Sequence, residues 1–183
     1  MRTNNRLGET FFDILAEIDA AYDHAERKGP RKVVRTIEAV ECLMGFPDVP
    51  TSVLYWLYKA LAGDPVGARE TAHLFDWEQD EKGREKFAML DSPELAVFWF
   101  ERAAKKGDAI AQNNLANLLC SSGRPIWNGR QAVYWREKAS AQGEYHAMEG
   151  LADCLECGHC CRFDPARAKL LRAESRRLRR AAE

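Results

Sequence analysis

The chain repeats itself at a fixed interval. The segment LAVFWFERAAKKGDAIAQNNLANLLCSSG, Leu95 to Gly123, returns as QAVYWREKASAQGEYHAMEGLADCLECG, Gln131 to Gly158. Ala96, Trp99, Ala103 and Gly107 recur 36 positions later as Ala132, Trp135, Ala139 and Gly143. The same pattern stands upstream as Val53, Trp56 and Ala60, and downstream as Ala168, Leu171 and Ser175. A unit of this size cannot cover its own apolar face, so a fixed period of this length requires like units stacked on one another. The upstream interval is 43 residues, and the excess is assigned to the polar segment DWEQDEKGREK, Asp76 to Lys86.

Each copy spaces its small, aromatic and small residues at i, i+3 and i+7, which puts them on one face of a helix. A face of this kind lets a neighbouring helix approach closely. Gly107-Asp108 and Gly143-Glu144 follow, with Gly63-Asp64-Pro65 upstream. A glycine suited to the left-handed C-cap and an acid suited to the next N-terminus mark the end of one helix and the start of another. The second helix carries Ala111, Leu115 and Leu118 in one copy and Ala147, Leu151 and Cys154 in the other. Each repeat is therefore a helical hairpin, and the fold class is all-α.

Residues 1–50 hold two further helical stripes, Phe11, Leu15, Ile18, Tyr22 and Ala25, then Val33, Ile37, Val40 and Met44. They end at Gly29-Pro30 and Gly45-Phe46-Pro47 and are read as a capping hairpin. Residues 51–163 are the repeats. Residues 164–183 form a basic capping helix that opens at Asp164-Pro165, with all three parts in one continuous domain.

The repeat units AVFWFERAAKKGDAIAQNNLANLL and AVYWREKASAQGEYHAMEGLADCL resemble the Sel-one-like repeat, a relative of the tetratricopeptide repeat. The Phe98-Trp99 pair, Ala103-Ala104, Gly107, Ala109, Ala111-Gln112 and Leu115 match that family's pattern. Ala116 and Ala152 stand where the family has glycine, Met148 replaces a glutamine, and the loop from Ser121 to Asn128 holds little glycine. The resemblance covers about Thr51 to Ser175. It implies a right-handed α-solenoid of stacked antiparallel hairpins that binds other proteins, in scaffolding, signalling or envelope processes, host interaction, or immunity against secreted toxins.

Composition narrows the function classes. With 183 residues, 46% hydrophobic and 30% charged, the chain can bury a core without disulfides or metal. No apolar run approaches the roughly 20 residues of a membrane helix, and acids occupy the place of a signal peptide's apolar centre. The expected location is the cytoplasm, and the six cysteines are expected to be free thiols. Residues 162–183 carry 8 basic and 3 acidic residues against a net charge of −1 for the chain, so an acidic body carries a basic tail. Arg172, Arg176, Arg177, Arg179 and Arg180 have no aromatic residue among them, and nucleic acid is not the expected partner.

Catalytic signatures are missing. The histidines His24, His73, His146 and His159 form no HExxH string, and no GxSxG, GK[ST] or GxGxxG occurs. The chain is read as a non-enzyme with no cofactor and no small-molecule substrate. Cys154, Cys157, His159, Cys160 and Cys161 include a CxxC pair and enough soft ligands for zinc. All lie within eight residues, and the period sets Cys154 over the core residue Leu118, so no metal is expected there; a zinc- or thiol-dependent regulator working through this cluster is the alternative reading. Partner contacts are expected on the second helices, at residues off the Ala-Leu-Leu stripe: Asn113, Asn114 and Asn117, the matching Glu149 and Asp153, and Glu70 and Thr71 upstream. The acids among them favour a basic protein partner.

Overall fold

A computed structural model describes residues 11–44, 52–76, 92–121, 126–158 and 160–182. Among these the chain is helical throughout, without a strand: α1 (Phe11–Lys28), α2 (Arg31–Met44), α3 (Ser52–Leu61), α4 (Pro65–His73), α5 (Pro93–Lys105), α6 (Ala109–Cys120), α7 (Gly129–Ala141), α8 (Tyr145–Cys157) and α9 (Pro165–Ala182). No helix among the described residues is long and apolar enough to cross a membrane. The chain forms two compact units, Met1–Leu95 and Ala96–Glu183.

In the first unit α1 packs on α2 and α3, and α3 pairs with α4. Ile18 and Ala25 of the first stripe and Val33, Ile37 and Val40 of the second are buried, as their spacing predicts. The polar segment proposed as an insertion lies outside the described residues from 77 onward.

In the second unit α6 packs on α7, α7 on α8, and α8 on α9. The period is a core register: Ala96, Trp99, Ala103, Ala132, Ala139, Ala147, Ala168 and Ser175 are all fully enclosed. Gln112 at the start of α6 donates through Nε2 to the Ala104 carbonyl of α5 (3.0 Å) and accepts from Gln142 Nε2 at the end of α7 (2.8 Å), so one amide links consecutive repeats.

The turn inside each hairpin is the same device three times. Gly63, Gly107 and Gly143 have φ of 86°, 95° and 87°. The next residue's N–H reaches back to the carbonyl five residues earlier, from Asp64 to Lys59, Asp108 to Ala103 and Glu144 to Ala139. That acid then accepts a backbone N–H of the following helix, as in Asp64 with Gly67 (2.9 Å) and Asp108 with Ala111 (2.8 Å). A Cβ on Gly107 would meet no atom within 4 Å, so the cost of Gly107→Ala comes from the left-handed backbone alone. It is expected to be about 1–2 kcal/mol, read as a lower melting temperature. Gly107→Asn, which tolerates this conformation better, is expected to lose less; an equal loss for both would refute the backbone explanation.

Candidate functional site

One buried guanidinium organises the most unusual surroundings in the second unit. Arg136, in the middle of α7, stands 36 positions after Phe100, a fully buried core residue, and is itself only 8% exposed. Its Nη1 donates to Cys154 Sγ of α8 (2.9 Å) and, more distantly, to Cys120 Sγ at the end of α6 (3.6 Å). Its Nη2 donates to Asn117 Oδ1 of α6 (3.1 Å). Gly150 of α8 makes the room, since a Cβ there would lie 2.7 Å from Arg136 Nε. Among the described residues no carboxylate forms an ion pair with Arg136, and its buried Nε has no hydrogen-bond acceptor.

Three sulfurs meet at this guanidinium. Cys120 and Cys160 approach to 4.0 Å between Sγ atoms, and Cys120, Cys154 and Cys160 all lie within 4.8 Å of one another. Cys160 belongs to the segment between α8 and α9 and passes over Gly129, where a Cβ would come within 2.7 Å of its Sγ. Burial pushes the Cys154 thiol up to about 12 against the opposing pull of Arg136, and burial followed by the neighbouring Cys120 also raises Cys160. Such thiols are protonated at neutral pH, which disfavours a role as free nucleophiles.

The sequence cluster is therefore brought together only in part. Cys154 and Cys160 converge, joined by Cys120, which has no role in the sequence reading. Cys157 is exposed and turns its S–H to the Cys154 carbonyl (3.5 Å). Cys161 packs against the apolar group of Leu151, Ala152, Leu155 and Ala168. His159 lies outside the described residues. The period carried a signal for the missing members: an arginine falls on the Phe100 core register, and consecutive second helices run side by side in stacked hairpins, bringing Cys120 near Cys154.

Of the seven expected partner-contact residues, three are turned inward and four are held by neighbours within the chain, Asp153 while remaining exposed. Thr71, Asn113 and Asn114 are buried. Asn117 holds Arg136, and Glu70 pairs with Arg69 (3.0 Å). Glu149 accepts from Ser175 Oγ (3.0 Å) and Arg179 Nη2 (2.6 Å), while Asp153 accepts from Arg172 Nη2 (2.7 Å). Arg172 also grips both carboxylate oxygens of Glu156 (3.1 and 2.7 Å) and holds that carboxyl below its usual range. The physical reason is repeat stacking: in the second unit the outer side of α8 is the surface on which α9 lies. Two arginines of the basic tail, Arg172 and Arg179, are thus the counter-charges of the α8 acids, while Arg176 and Arg180 are exposed.

Exposed aromatic groups stand instead on first helices. Tyr55 of α3 and Tyr134 of α7 are 43% and 49% exposed, each two positions after the small residue that starts the repeat. Phe98 of α5 holds the same register. Arg102 lies 5.6 Å from the Phe98 ring centre and Lys138 5.2 Å from that of Tyr134, so an aromatic–cation pair recurs one helical turn apart in successive repeats.

No family model matches the sequence, and no curated protein matches it. Solved structures do. A Sel1 repeat protein from Oxalobacter formigenes superimposes with a TM-score of 0.58 at 22% identity, over 72% of this chain and 92% of that one. A protective antigen of uropathogenic Escherichia coli strains, with an SLR fold, superimposes with a TM-score of 0.59 at 22% identity, over 89% of this chain; the match spans 38% of that longer protein. Together with the 36-residue register and the thrice-used glycine turn, these likenesses establish the architecture: the protein has the Sel1-like repeat fold, an α-solenoid of stacked antiparallel helical hairpins.

Proposed function

We propose that the chain is a non-catalytic protein-interaction module, an adaptor or inhibitor that holds one protein partner, working in the cytoplasm. The Sel1-like fold supports the general reading, and a toxin-neutralising immunity protein is the concrete form suggested by the sequence resemblance. The observation that carries the proposal is the recurring aromatic–cation pair on the first helices of the second unit, Phe98 with Arg102 and Tyr134 with Lys138. Aromatic bodies with a cation beside them are favoured at protein interfaces because they combine large contact area with charge. They suit a partner segment that is acidic and apolar together. The acids of α8 already have the arginines of α9 as partners, which leaves the second helices less open to a basic protein.

The test is capture from a lysate of the source cells with the tagged chain as bait, at low and high salt, beside Tyr134→Glu and Glu149→Gln/Asp153→Asn variants. The expected result is one stoichiometric partner that survives salt, is lost from Tyr134→Glu without a fall in melting temperature, and is retained by the double variant. Loss from the double variant alone would move the contact to the second helices. Failure of the intact chain to retain any protein refutes the interaction reading.

A further inference from the structure

We infer that Cys120, Cys154 and Cys160 form a three-thiolate zinc site whose charge is balanced by the buried Arg136 guanidinium. Geometry is the first support. With zinc–sulfur bonds of about 2.3 Å, thiolates around one ion lie about 3.8–4.0 Å apart. Cys120 and Cys160 already stand at 4.0 Å, and no sulfur of the three is more than 4.8 Å from another, so closure needs a movement of at most about 1 Å. Soft thiolate donors without a carboxylate among them select zinc over magnesium or calcium.

Charge is the second and independent support. A guanidinium enclosed by protein is costly unless an anion accompanies it. Arg136 is buried at a position that the preceding repeat gives to phenylalanine, and what it faces is sulfur and the Asn117 amide oxygen, with Nε left over. Neutral thiols do not compensate it. Zinc bound by three thiolates carries one net negative charge, and Arg136 neutralises it while donating to the Cys154 sulfur, as an outer-sphere hydrogen-bond partner of a metal ligand does. On binding, the three thiols release their protons to solvent, because a thiol that coordinates the ion is deprotonated by it. A zinc ion with three protein ligands leaves its fourth position to water, and Cys120 and Cys160 are both partly exposed to solvent.

Two glycines frame the site and supply its most discriminating test. Gly150 clears the guanidinium, and Gly129 clears the Cys160 sulfur. The site joins the end of α6, the body of α8 and the segment leading to α9, so the ion would cross-link three successive elements of the second unit.

The experiment loads the full reduced chain, stripped with a chelator, with zinc alone, and measures affinity by competition with a chromophoric chelator. Cobalt substitution in parallel reads the ligands through its thiolate charge-transfer absorption. The expected result is one zinc per chain and a cobalt spectrum of sulfur ligands, both lost in Cys120→Ser and Cys160→Ser and kept in Cys42→Ser, Cys157→Ser and Cys161→Ser. Gly129→Ala retains every cysteine but displaces the Cys160 sulfur, and is expected to weaken binding, as is Arg136→Met by about 10–100-fold. Helical circular dichroism of each variant without metal identifies any that fail to fold. No zinc retained by the folded chain, or retention in Cys120→Ser with loss in Cys157→Ser, overturns the site. Tighter binding in Arg136→Met overturns the charge assignment.

Discussion

Among the tryptophans of the described residues, Trp99→Ala is expected to be the most damaging substitution, at about 3–5 kcal/mol. Trp99 is fully enclosed between the small residues Ala96 and Ala103 of its own helix. The neighbouring Phe98 ring meets it edge-on at 5.1 Å between centroids, and the Arg102 guanidinium lies 5.3 Å from its centre. Truncation removes the buried surface and leaves a void that fixed helices cannot collapse, because the alanines flanking it have no side chain to move in. Trp135 holds the same register at 8% exposure, and Trp56 is only half-buried. The losses should therefore rank Trp99 above Trp135 above Trp56, measured by urea unfolding followed by far-ultraviolet circular dichroism. A Trp56→Ala loss equal to that of Trp99→Ala would overturn the ranking by burial.

The second large effect concerns α9. A chain shortened to end at Asp164 is expected to lose about 3–5 kcal/mol from the second unit, on the basis of roughly 1.5–3 kcal/mol for each large apolar side chain returned to water. Leu151 and Leu155 of α8 are buried in a group that Ala168 of α9 completes and Leu171 flanks. Removing α9 also strips Glu149 of Ser175 and Arg179, and strips Asp153 and Glu156 of Arg172. The ion pairs lie at the surface and contribute little each, so apolar exposure should dominate, and added salt should neither imitate nor rescue the deletion. A shortened chain that melts where the full chain does would mean that α9 is an ornament on a self-sufficient stack.

Much of the fold was legible because it rests on repeated local chemistry. The spacing of Ala96, Trp99 and Ala103 designates one helical face wherever it occurs, and glycine followed by an acid designates a turn and a cap by backbone stereochemistry alone. The downstream copy could be read even where serine replaced alanine: Ser175 proved fully enclosed, its hydroxyl satisfied by Glu149. The outward direction predicted for Asn113, Asn114 and Thr71 was less legible. Which side of a second helix is covered depends on the helices stacked against it, and the periodicity of one helix does not contain that information.

The candidate site divides in the same way. Local sequence grouped Cys154, Cys157, Cys160 and Cys161 because proximity along the chain is all it displays. On a helix and its following turn Cys157 and Cys161 point away from the converging pair Cys154 and Cys160, whereas Cys120 and Arg136, 34 and 18 positions before Cys154, are carried to it by hairpin stacking. The sequence by itself determined the hairpins, their turns and the core register, since these follow from side-chain period and the stereochemistry of glycine. Only the tertiary structure decided which thiols share a buried cation and which acids meet the terminal arginines, because both depend on distances between helices, which packing sets.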